Sequence, residues 1–197
     1  MNFDNGTVDS IRSPSQRGLA AYWARLALTR QGLPPFDQFA PGPGVHDPKH
    51  LAVWKVEASG GKLEFRALYR GSFIDEAVDD PWVGKTLTQV APPTLRAPII
   101  EASAHCASTG CAIYSVLRTY AGASPLDLER LLLPFGQNGR VQVIVASLQL
   151  VSLEGKVERS TAVEKFEAQT DVVLSFRISA ASFKEARPKT AEALPVN

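Results

Sequence analysis

The chain has 197 residues, 45% of them hydrophobic and 21% charged, the balance of one globular domain with some extension. A net charge of +1 excludes the strong field that draws nucleic acid or an acidic lipid surface. No run approaches the ~18 apolar residues of a membrane helix, and the N-terminal MNFDNGTVDSIRS carries acids where a secretory signal carries an apolar stretch, so a cytoplasmic protein is expected.

Residues 1–12 are polar and are expected to be disordered. Ser13-Pro14-Ser15-Gln16 then starts a helix, with Ser13 as cap, Pro14 at the first position and Gln16 closing a capping box. Leu19, Tyr22, Trp23 and Leu26 form its apolar stripe, and it ends near Gln31 and Gly32. Gly32 to Pro48 is dense in proline and glycine and reads as a stiff connector. Leu51–Glu57 is the first strand, and Ser59-Gly60-Gly61 turns the chain into a second. That second strand, Leu63–Ile74, alternates: Leu63, Phe65, Ala67, Tyr69 and Phe73 on one side, Glu64, Arg66, Arg70 and Ser72 mostly on the other. Gly71 interrupts it, which marks a bulge or a close approach to the backbone.

From Asp75 to Gly110, Pro81, Pro92, Pro93 and Pro98 divide the chain into short helices and loops. Cys111–Tyr120 returns to strand. Leu126–Phe135 is helix or strand by local propensity, and the Gly136, Asn138, Gly139 turn leading into Val141–Val151 favours a hairpin. The fold class is α+β: a five-stranded antiparallel sheet near 50–57, 62–74, 111–121, 126–135 and 141–152, short helices over one face, and an N-terminal helix. This domain spans 13–152; residues 153–197 form an extension with a disordered tail. The last strand is apolar on both sides, Val141, Val143 and Val145 against Ile144, Ala146, Leu148 and Leu150, so both faces of the sheet need cover. The helix stripe covers part of it. A second subunit would cover the rest, placing Leu19, Tyr22, Trp23 and Leu26 in a homodimer interface; the alternative is that residues after 151 fold back and complete the cover within a monomer.

Four phrases carry a resemblance. They are Tyr22-Trp23 with Gly32-Leu33-Pro34, FRALYRGS at Phe65–Ser72, VGKTL at Val83–Leu87, and RLLLPFGQNGRV at Arg130–Val141. In that order, over roughly residues 20–150, the chain resembles a PAS domain of the bacterial kind that stands nearly alone behind an N-terminal helix. It departs from the family in its Pro- and Gly-dense connector at 36–48 and in the extension after 151. The resemblance implies a five-stranded sheet with helices over one face, a sensing or interaction role, and often dimers. It leaves cofactor and ligand unspecified.

Candidate chemistry is sparse. Tyr69, Trp82, His105 and Tyr114 are aromatic with polar tips and are expected to line any ligand cavity between the sheet and residues 75–110. Arg66, Arg70 and Arg118 are expected to face solvent or a partner. His46 and His50 flank Pro48 in a loop, and no metal site is expected from them. Asp75, Glu76, Asp79 and Asp80 lack the order of a calcium loop and read as a solvated rim. His105-Cys106 is the one pair that offers a thiol nucleophile, with the core as its alternative place. Cys106 and Cys111 are expected to be reduced. The first function expected is a non-catalytic sensor that binds a small molecule or a signalling partner. A thiol enzyme at His105/Cys106 and a ligand-free dimerisation module are the alternatives.

Overall fold

The computed structural model describes residues 2–40, 47–75, 81–119, 125–152 and 170–185. Helix α1 (Pro14–Arg30) begins as its sequence dictates, with Ser13 Oγ accepting from the Gln16 N–H at 3.4 Å and Pro14 at the first position. The Gln16 side chain does not close a capping box. It crosses to the sheet, where Nε2 donates to the carbonyls of Glu129 (3.3 Å) and Ser147 (3.0 Å). Gln31 ends the helix in the left-handed region (φ 54°).

Seven strands make one mixed sheet: β1 (Asp4–Asn5), β2 (Leu51–Ser59), β3 (Lys62–Arg70), β4 (Ala112–Thr119), β5 (Leu126–Gln137), β6 (Arg140–Ser152) and β7 (Thr170–Ile178). Their spatial order is β1-β7-β4-β5-β6-β2-β3, antiparallel throughout except for the two-residue β1–β7 pair. Five strands were expected. The sixth and seventh come from outside the expected domain: β7 from the extension, where Val172, Leu174, Phe176 and Ile178 pair beside β4, and β1 from the N-terminus. The N-terminal segment is held by Ile11, which is fully buried. Both hairpin turns, Gly60-Gly61 and Asn138-Gly139, put two residues at positive φ, the requirement of tight two-residue loops.

The helical segment departs from expectation. Besides the short α2 (Ser72–Asp75) and α3 (Leu87–Val90), residues Pro93–Thr109 form one helix, α4, running through Pro98. Pro93 occupies its first position, where the missing N–H costs nothing, whereas Pro98 lies inside the helix and removes one N–H from its ladder. A fifth helix, α5 (Ser182–Glu185), follows β7.

The central strands are covered on both faces, as the two-sided apolar pattern of β6 requires. On one face Leu19, Ala20, Trp23, Ala24 and Ala27 of α1 meet Val53, Tyr114, Leu131, Leu133 and Val145. On the other, Ile74, Leu87, Ala102 and Cys106 meet Ala52, Trp54, Phe65, Ile113, Leu132 and Ile144. Three register shifts interrupt the ladders, and two of them bear on the faces just named. The partner of Phe135 is Val143 and that of Gly136 is Val141, so Gln142 is extra, and Val141 joins the α4 face instead of sharing a side with Val143 and Val145. Likewise Val53 pairs with Tyr69 and Trp54 with Ala67, so Leu68 is extra and Tyr69 leaves the face of Phe65 and Ala67.

Gly71 is a close-approach site. It lies just past β3, its N–H donates to Leu51 O at 2.8 Å, and a Cβ there would collide with the carbonyl oxygens of Pro48 and Lys49. Gly71→Ala is expected to lose about 3 kcal/mol, the upper part of the overpacking range, read as a fall of roughly 6–12 °C in the thermal midpoint. An unchanged melt would show that residues 48–49 yield freely.

Candidate functional site

The two-faced cover leaves a gap. A cavity of about 370 Å³ lies between the α4 face of the sheet and the segment from α2 to α4. Its floor is Ala52 and Trp54 of β2, Leu128, Arg130 and Leu132 of β5, and Ala146, Leu148 and Leu150 of β6. Its roof is Phe73, Ile74, Trp82, Leu87, Val90 and the first half of α4 to Ser103. Ala52 and Ala146 present small side chains to the space, and Pro92 and Pro93 border it where α4 begins. Trp54 and Trp82 meet at a centroid distance of 5.7 Å, and the Arg70 guanidinium lies 5.3 Å above the Trp82 ring. That stack closes one wall.

Of the four residues expected to line a ligand cavity, Trp82 borders this one. Tyr69 does not: after the bulge at Leu68 it is 41% exposed, and its hydroxyl donates to Pro48 O at 3.3 Å. Tyr114 points to the opposite face, fully buried under α1, where its hydroxyl accepts from the Arg12 N–H at 3.2 Å. Burial pushes its phenol up. His105 stacks on Phe3 at 4.2 Å with the rings 4° from parallel, away from the cavity. Burial, then the charge of Arg177, lowers its imidazole below the usual range. Cys106 is fully buried among the apolar side chains of the α4 face, and burial pushes its thiol up. Neighbours on a helix point ~100° apart, so His105 and Cys106 do not share a pocket in which a thiolate could act. Both cysteines are free.

The dimer residues are also placed. Leu19 and Trp23 are buried within one chain, and Trp23 Nε1 donates to Pro134 O at 2.8 Å. Tyr22 and Leu26 are half-buried, with the Tyr22 hydroxyl donating to Gln38 O at 2.9 Å. Among the described residues no three or more of His, Cys, Asp and Glu gather to hold a metal, and no helix is long and apolar enough to cross a membrane. His46 and Glu76–Asp80 lie outside the described residues.

Sequence reading missed Arg130. Its side chain is 3% exposed as a residue, lies on the cavity floor, and has Nε, Nη1 and Nη2 all buried without a hydrogen-bond partner. Leaving an ion so is costly, several kcal/mol by any account of burial. Elsewhere the chain avoids that cost. Asp127, 1% exposed, is held by Arg118 at 2.6 and 2.8 Å and by Arg12 at 3.3 Å, so Arg118 serves the interior instead of facing solvent or a partner. The signal for Arg130 was present as Leu128-x-Arg130-x-Leu132, one charge in the middle of an apolar face.

No family model matches the chain and no curated protein matches it. Among solved structures it is similar to an RNA-binding light-oxygen-voltage receptor, at 16% identity and a TM-score of 0.36. The likeness covers 57% of this chain and 33% of that one, so the chain spans about a third of the receptor's length. A likeness of that size shows neither fold family nor activity.

Proposed function

We propose that the chain is a PAS-like sensory module, without catalysis, that holds a small molecule between its sheet and α4 and signals through contacts with a second copy or a partner protein. The cavity carries this reading. A void of about 370 Å³ with mostly apolar walls falls within the ~300–1,000 Å³ of small-molecule sites. Support also comes from the element order within residues 14–152: a helix, two strands, a helical segment over one face, then β4, β5 and β6, the arrangement that the resemblance implies, with β1 and β7 added beside β4. The thiol enzyme is the weaker reading, because Cys106 is buried and held protonated. A bacterial, cytoplasmic setting belongs to the same proposal.

Filling the void tests it. Ala146 borders the cavity and is 3% exposed, so Ala146→Leu adds three carbons to empty space. The variant is expected to gain about 0.5–2 kcal/mol of stability and to lose the change in Trp54 and Trp82 fluorescence that 1-octanol produces in the unmodified protein. Stability that falls, with octanol binding intact, would mean the ligand space lies elsewhere.

A further inference from the structure

The cavity's unpartnered atoms share one chemistry. Arg130 Nε, Nη1 and Nη2, Arg96 Nε and Trp82 Nε1 are all buried and all lack a hydrogen-bond partner, and the three residues all line the cavity. Each of these atoms is a donor. Two other polar groups of the lining are engaged: Gln89 Oε1 accepts from the Thr86 N–H at 2.8 Å, and the Ser103 hydroxyl donates to Ile99 O at 2.9 Å. No carboxylate lines the cavity among the described residues. Cys106, whose charge bears on Arg130, is kept neutral by burial, so its thiolate does not balance the guanidinium. The strand neighbours of Arg130 are Leu148 and Ser115, and Ser115 Oγ is itself buried without a partner. What is missing at the floor of this cavity is an acceptor with negative charge.

We infer that the cavity takes a small amphipathic monocarboxylate, with its acid on the Arg130 guanidinium and its apolar body against Trp54, Phe73, Leu148 and Leu150. This rests on the ligand-binding reading above and adds the ligand's class. A planar carboxylate matches the guanidinium fork with two parallel hydrogen bonds, and one negative charge balances one buried positive charge. A phosphate dianion would leave excess charge against apolar walls. At ~30 Å³ for each water-sized volume, the 370 Å³ holds on the order of twelve non-hydrogen atoms. Octanoate, with eight carbons and two oxygens, fits that limit.

The test compares sodium octanoate with 1-octanol on the full chain, by tryptophan fluorescence and calorimetry, for the unmodified protein, Arg130→Met and Arg130→Lys. Octanoate is expected to bind the unmodified protein on the order of 100-fold more tightly than octanol, the worth of a hydrogen-bonded charge pair. Arg130→Met should lose that margin while binding octanol as before, and Arg130→Lys, which keeps the charge and loses the fork, should fall between. Equal affinity for octanoate and octanol in the unmodified protein overturns the carboxylate inference and leaves the cavity as a ligand site. Binding of neither overturns both readings. The comparison on the unmodified protein decides the matter even where Arg130→Met fails to fold.

Discussion

Trp23→Ala is expected to lower the stability of the isolated chain by about 3–5 kcal/mol, the cost of deleting a large buried aromatic. With a chain of 197 residues that corresponds to a fall of roughly 6–20 °C in the thermal midpoint. The ring is 1% exposed between α1 and the sheet, and its Nε1–H reaches the carbonyl of Pro134 at 2.8 Å. Pro134 lies two residues beyond Leu132, the last residue of β5 paired with β4, through Ile113. The carbonyl of Pro134 has Trp23 as a partner there, so the substitution removes both the packing and that bond. Thermal melting by circular dichroism, with sedimentation run alongside, separates this from the dimer first expected of the residue. An unchanged melt with a lost dimer would place Trp23 between subunits; a large loss in a monomer places it in the core.

The sequence was readable where local chemistry decides the outcome. Ser13-Pro14 at a helix start and Asn138-Gly139 at a hairpin need no tertiary information, because the cap and the positive φ values fix them. The two-sided apolar β6 also announced a cover for both faces, and α1 and α4 supply it. Three things depended on the assembled fold. Pro98 reads as a breaker, yet α4 passes through it, with Ala102 and Cys106 packed on the sheet beyond it. The β7 strand is weak by itself and gains its order from pairing with β4 over eight positions. The bulge at Leu68 is one extra residue that nothing in LEFRALYRGS marks, and it moved Tyr69 to the other face, taking one expected cavity residue away. Tyr114 was misplaced for a related reason: Ala112–Leu117 is apolar on both sides, so periodicity could not say which side faces α4.

Arg130→Met is expected to make the ligand-free protein more stable, by about 1–4 kcal/mol, whereas Arg118→Met should destabilise it by about 3 kcal/mol. The opposite signs follow from partners. Removing Arg118 strips the Asp127 carboxylate, 1% exposed, of its two shortest bonds and leaves a buried anion with Arg12 alone at 3.3 Å. Removing Arg130 deletes a buried cation that has no partner to strand, and methionine fills a similar volume with apolar atoms. Burial brings the Arg130 guanidinium down to about 10, below its unfolded value. A cation with a depressed folded pKa destabilises the fold at every pH below that value, and the cost is relieved only as pH rises through it and the folded state releases the proton. The gain in Arg130→Met is therefore expected to be flat across neutral pH. Urea titrations of protein freed of bound molecules by unfolding and dialysis measure both variants. Octanoate should then narrow or reverse the order, because a ligand that binds the native state adds stability only where its site is intact. If Arg130→Met loses stability in the ligand-free state, the guanidinium has a partner within the fold, and the cavity's need for an anion disappears.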